Sequence, residues 1–456
     1  MRGSHILHPD GGARSVRATA GIRLSGLFGG SGAVVNWAGI TLWLIGLADI
    51  LSGGRLPPAV SMVACALFVV IALPAINRVS YAPILISVIG MAVICLPAWD
   101  ADPVMAGLSF GTRLGAFLFS ALLLRQTLTG TVSLARVQDR FDALAPRDQM
   151  GVALLAAWVF GSVFSIGTVI LMTALVERRP PAERRGFAPV LLCGMCLSFL
   201  WSPFSIGMVF VSRLVPQVGL VDVIGPTAAL SLAGLLAGLA FHSRFSQAVP
   251  RGAIAAVTPL LPALAVLFGA VALVCQLAGL TTQAAIIVVT PPLCLLFLAR
   301  RGSGVIGPLL EATRDRTGAA MADVLLFSAG LGFAVALDRS GVIPLVLEDW
   351  VRPGTGPLAL VLLALSIAPL CMSGLHTTTM AAIVAPAALA MQAPAPLAFA
   401  MAQVAWAGAT MISFSSVMLA TTCRIYDVPM RRVTLGPNVL VMQAVCVVAA
   451  AMALMV

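Results

Sequence analysis

Ser373-Gly374-Leu375-His376-Thr377-Thr378-Thr379 is a polar interruption inside an apolar run that extends from about Leu358 to Ala390. Hydrocarbon offers no water to hydroxyl or peptide groups. Such a stretch therefore persists at membrane depth only where it is buried in protein or lines a cavity. As one helix the run would be about 50 Å long, well beyond the ~30 Å hydrocarbon core. Folded at the polar stretch into two legs of roughly 15 residues, it reaches part-way into the bilayer and turns back. The expectation for 358–390 is a re-entrant hairpin with this motif at its tip.

The composition requires a bilayer. Of 456 residues, 60% are hydrophobic and 10% charged, with a mean hydropathy of +1.04, whereas a soluble domain carries about a quarter charged residues. Apolar segments near the ~20 residues needed for a crossing recur along the whole chain, so the expected fold class is an all-α polytopic membrane protein. The net charge of +10 comes from 27 arginines with no lysine. They are scattered through short loops, a pattern that orients a membrane protein rather than one that binds nucleic acid. Residues 1–32 read as a cytoplasmic tail and 33–57 as the first span, in a bacterial inner membrane.

A second apolar run, 151–175, has Arg140 and Arg147 before it and Arg178, Arg179, Arg184 and Arg185 after it. A single crossing would leave one cluster outside, against the positive-inside bias. A hairpin resolves this, with its tip at Gly161-Ser162-Val163-Phe164-Ser165-Ile166-Gly167-Thr168. The span 188–215 is broken by Ser202-Pro203-Phe204-Ser205-Ile206-Gly207. A later span, 398–423, is interrupted around Gly408-Ala409-Thr410 and Ser413-Phe414-Ser415-Ser416. Proline removes a helical hydrogen bond and glycine weakens the turn, so discontinuous helices are expected at such breaks. Amphipathic stretches at 131–149 and 340–356 suit helices lying along the interface. With the N-terminus inside, about 11 spans and two hairpins put the Arg-rich loops in the cytoplasm.

The two halves, 58–250 and 251–456, repeat one order: three spans, an interfacial helix, a hairpin, a broken span and a span. An offset of 208 pairs Ser165 with Ser373 and Ser205 with Ser413. Inverted repeats with paired interruptions mark the midplane site of secondary transporters. In these hairpin and broken-helix pairs the chain resembles the ion transporter superfamily. That superfamily includes divalent-anion/sodium symporters, arsenite and sodium/proton carriers, and the large membrane subunits of tripartite periplasmic transporters. The resemblance covers essentially the whole chain after residue 50. In the divalent-anion symporters each tip carries Ser-Asn-Thr; here the matching positions read Ser165-Ile166-Gly167-Thr168 and Ser373-Gly374-Leu375-His376-Thr377, without asparagine. The resemblance implies a homodimeric elevator carrying a small anion, a mono- or dicarboxylate, coupled to Na⁺ or H⁺. Na⁺ as coupling ion is the sole cofactor it implies. Its other branches imply a permease subunit served by a periplasmic binding protein, or a carrier of oxyanions such as arsenite or sulfate.

In each hairpin and each broken span a helix begins near the midplane, so four N-termini converge there. Their unpaired N–H groups and partial positive charge suit an anion, completed by hydroxyls. The substrate-binding candidates are Ser165, Thr168, Ser205, Ser373, His376, Thr377, Thr378, Ser413 and Ser415. Ser162, Gly167, Gly207, Gly374 and Thr410 are the ion-binding candidates. His376 is either a proton carrier, with an unperturbed pKa of about 6.5, or a neutral ring bonded to backbone. Asp49, Asp323 and Asp338 fall near the ends of spans, which demotes a sodium/proton antiporter or cation pump. Arg113, inside an apolar segment, is expected to snorkel to the interface. An enzyme is not expected, because Ser373 and His376 share one tight turn with no orienting acid.

Overall fold

The computed structural model describes residues 31–73, 78–96, 100–129, 139, 141–164, 168, 172–173, 176, 179–243, 261–299, 306–317, 321–347 and 356–455. Every regular element among them is helical. The first half contributes α1 (Ser31–Leu51), α2 (Pro58–Ala72), α3 (Arg78–Cys95), α4 (Asp102–Thr129), α5 (Pro146–Phe164), α6 (Pro181–Trp201), α7 (Ile206–Leu214) and α8 (Leu220–Gly238). The second contributes α9 (Leu261–Ala278), α10 (Thr282–Ala299), α11 (Ile306–Thr317), α12 (Met321–Arg339), α13 (Val342–Leu347), α14 (Gly356–Met372) and α15 (Thr377–Ala390). It ends with α16 (Ala395–Ile412), α17 (Val417–Tyr426), α18 (Met430–Thr434) and α19 (Pro437–Ala453).

Among the described residues, five helical stretches are long and apolar enough to cross a membrane, or six when the bent pair α6–α7 counts as one span. Seven shorter apolar helices accompany them, including both legs of the 358–390 hairpin. Burial separates centre from rim: an apolar 18-residue window within Ala395–Tyr426 is 94% buried, whereas Val34–Leu51 is 28% buried. In α16 every residue from Leu397 to Ile412 is buried. Its sequence explains that position, because alanine and glycine on all faces let neighbouring helices approach closely. The rim helices α2 and α3 instead expose Val63, Leu67, Leu85, Ile86 and Val93, an apolar surface suited to lipid.

Both hairpin regions begin and end at the same level. Asp142, just before α5, pairs with Arg179, just before α6, at 3.1 Å. At the other hairpin, a Cβ placed on Gly356 would lie 3.7 Å from the Met391 carbonyl, so the start of α14 meets the end of α15. Their lengths, 17 and 14 residues, give legs of about 25 and 21 Å, short of a full crossing. α5 begins earlier than expected, at Pro146, and absorbs the end of the 131–149 stretch, of which 130–138 and Arg140 lie outside the described residues. Of 340–356, helix persists over Val342–Leu347, and 348–355 lie outside the described residues.

The two helix breaks are built alike. Ser202 ends α6 at φ −80°, ψ 121° and Ser413 ends α16 at φ −80°, ψ 134°. Three residues on, Ser205 and Ser416 cap α7 and α17, each accepting a 3.1 Å hydrogen bond from the backbone N–H of Met208 and Leu419. Both caps also donate back, to the carbonyls of Phe199 and Thr410. The correspondence between the breaks is thus 211 residues (Ser202 to Ser413, Ser205 to Ser416), not the 208 that pairs Ser205 with Ser413. No interruption occurs at Gly408-Ala409-Thr410. There α16 runs through, because Thr410 Oγ1 returns its proton to the Trp406 carbonyl at 2.8 Å and leaves the helix intact.

Candidate functional site

Each break is latched to a hairpin by the serine that ends its first helix. Ser413 Oγ donates to the Leu375 carbonyl at 2.7 Å and accepts from the Ser415 N–H. Ser202 Oγ donates to the Ser162 carbonyl and accepts from the Phe204 N–H. The chain at the tip turns through Gly374 at φ +91°, a conformation that side chains disfavour, and enters α15 at Thr377. His376 caps α15: its Nδ1 accepts from the Thr378 N–H at 3.4 Å and from the Thr378 hydroxyl at 3.0 Å. An accepting Nδ1 fixes the neutral tautomer with the proton on Nε2, and a proton on Nδ1 would abolish the cap.

These elements line a cavity of about 100 Å³. Three helix N-termini border it: Ile206 and Gly207 of α7, Thr377 of α15, and Val417 and Met418 of α17. The first N–H groups of each helix have no intrahelical partner, and each end carries partial positive charge. Gly207 is required for this approach, since a Cβ there would fall 2.6 Å from Cδ1 and Nε1 of Trp406. His376, Thr410, Ser416 and Asp323 complete the polar lining. Asp323, half-buried in the first turn of α12, makes no hydrogen bond or ion pair with any described residue.

Of the expected site residues, the cavity holds Gly207, His376, Thr377 and Thr410. Ser413 and Ser415 face each other at 3.0 Å beside it, and Thr378 is occupied by His376. Ser373 is exposed and merely returns its proton to the Leu370 carbonyl. Ser162 does likewise to Val159. Thr168 is fully buried with its hydroxyl unpartnered. Ser165 and Gly167 lie outside the described residues. Sequence reasoning missed Ser202 and Ser416, for which the repeated Ser-x-x-Ser was the available signal, and Asp323, which it dismissed for lying near a span end. α12 packs against α15, and Asp323 shares the cavity wall with His376 and Thr377 at the hairpin tip.

An aromatic cluster closes the cavity on one side. Phe210, fully buried on α7, lies tilted against Trp406 at 5.2 Å and Phe327 at 6.4 Å, both on the cavity wall. On its other side it meets Phe110 of α4 edge-on at 6.2 Å. No family model matches this chain, and no curated protein matches it. Among the described residues, no group of three or more His, Cys, Asp or Glu is arranged to hold a metal ion.

Proposed function

We propose that the chain is a secondary active transporter of a small anion, a mono- or dicarboxylate, driven by H⁺ or Na⁺ through an elevator-type movement. The observation that carries this reading is the convergence of three helix N-termini on one cavity beside a hairpin tip. Oriented N–H groups and hydroxyls at such a site are suited to a carboxylate. A carboxylate substrate beside Asp323 would suffer like-charge repulsion, so a cation must accompany it. Protonation of Asp323, or Na⁺ held between Asp323 and the hydroxyl oxygen of Thr377, would meet that need; His376 is the other titratable group on the cavity wall.

The finer topology belongs to the same reading. About 11 spans in two inverted halves, akin to the ion transporter superfamily, agree with the matched breaks and with hairpins whose ends meet. The experiment is uptake of radiolabelled succinate, and of a panel of monocarboxylates, into proteoliposomes under imposed H⁺ or Na⁺ gradients. Gradient-driven accumulation of at least one carboxylate is expected. Absence of accumulation for all of them, with protein confirmed inserted and monodisperse, would reject the reading.

A further inference from the structure

Two adjoining cavities, of about 260 and 400 Å³, lie at the far end of α7 from the hairpin site, and both are bordered by Asp49, Arg113 and Arg213. Arg113 does not snorkel free: its Nη2 and Nε lie 3.0 and 3.3 Å from one oxygen of Asp49. Arg213, in the last turn of α7, has no carboxylate partner among the described residues, and donates to Gln283 Oε1 at 3.0 Å. Among the described residues Asp49 is the one acidic residue on either wall, beside two guanidinium groups. Gln283 is 3% exposed, and its Nε2 is buried without a hydrogen-bond partner. Its Oε1 is committed to Arg213, so the buried amide fixes the guanidinium on the wall of the smaller cavity. A guanidinium held in place without a carboxylate is suited to an anion.

We propose that Arg213, Gln283 and Arg113 form a second binding site, for a carboxylate or phosphate group. The guanidinium of Arg213 would hold one anionic oxygen pair in its fork, kept in orientation by Gln283 Oε1, with Arg113 on the same wall. The site stands on its own geometry and not on the transport reading. Phe210 and Phe110 lie between it and the hairpin cavity, with Ile206 and Arg213 separated by about 10 Å of helix.

The test is equilibrium binding of radiolabelled succinate and of inorganic phosphate to the full chain in phospholipid-free detergent. Wild type, Arg213→Gln, Gln283→Leu and Thr377→Ala are compared, each first shown to be monodisperse. At least one probe should bind wild type, weaken tenfold or more in both Arg213→Gln and Gln283→Leu, and retain that component in Thr377→Ala. Displacement of that component by short-chain phosphatidylglycerol would identify a lipid headgroup as the occupant, and no displacement would identify a free anion. Equal binding by wild type, Arg213→Gln and Gln283→Leu, or no binding of either probe or of the short-chain lipid, would overturn the proposal.

Discussion

Ser413 Oγ lies 2.7 Å from the carbonyl of Leu375, which ties the break between α16 and α17 to the tip of the second hairpin. Leu375 directly precedes the His376 cap, so this one bond sets where the N-terminus of α15 stands relative to that of α17. Removing the hydroxyl leaves a carbonyl without its partner, at a cost of about 1 kcal/mol within a membrane bundle. Ser413→Ala should lower thermal stability in detergent by a few degrees and reduce carboxylate uptake several-fold. Ser373→Ala should leave both unchanged, since its hydroxyl is exposed and bonds within its own turn.

Two glycines should fail for different reasons. Gly207→Ala drives a methyl against the Trp406 ring and displaces the start of α7, so uptake should fall at least tenfold with a modest loss of stability. Gly374→Ala meets open space but forces a side chain to φ +91°, which costs of order 1–3 kcal/mol. There the loss should register first in the melting temperature. Paired melting and uptake measurements on the two variants separate the effects.

Phe210 divides the hairpin cavity from the arginine-lined cavities, touching Trp406 and Phe327 on one side and Phe110 on the other. Phe210→Leu keeps an apolar filler while removing the ring stack, and the fold should persist. Liposomes carrying it should leak preloaded succinate faster than wild type when no gradient is applied. An unchanged leak rate would show that the ring cluster is packing alone.

Arg339, at the end of α12, bridges Asp100 at 3.1 Å and Asp102 at 2.7 Å. The Asp102 backbone N–H, and then the Arg339 guanidinium, hold the Asp100 carboxyl below its ordinary value. A carboxyl lowered on folding stabilises the fold above its unfolded value near 4 and loses that contribution as pH falls through the lowered one. The melting-temperature gap between wild type and Asp100→Asn should be present at pH 7 and shrink below pH 4.

The second hairpin was legible because a seven-residue stretch with Leu375 as its one apolar side chain, set in an apolar run, has few physical outcomes in lipid. The breaks were legible in the same way, though their partners were not. The offset of 208 aligns Ser205 with Ser413 by letter, whereas hydrogen bonds align Ser202 with Ser413. Asp323 was illegible for a different reason. Its position near a helix end says nothing about which neighbour covers that end, and the contact with α15 is fixed by tertiary packing. The close approach of α12 to α15 depends on Gly330 at mid-helix, where a Cβ would fall 2.8 Å from Thr378 Cβ. The Asp49–Arg113 pair, 64 residues apart, was hidden likewise.

The most direct measurement compares exchange with net accumulation in Asp323→Asn. A neutral amide in place of the carboxylate removes the repulsion that calls for a coupling cation while leaving the helix N-termini that hold the anion. Exchange of internal for external carboxylate should persist within a few-fold of wild type, and accumulation driven by the H⁺ or Na⁺ gradient should disappear. Gradient-driven accumulation at the wild-type level in Asp323→Asn would contradict the assignment of Asp323 as the coupling group at the hairpin cavity.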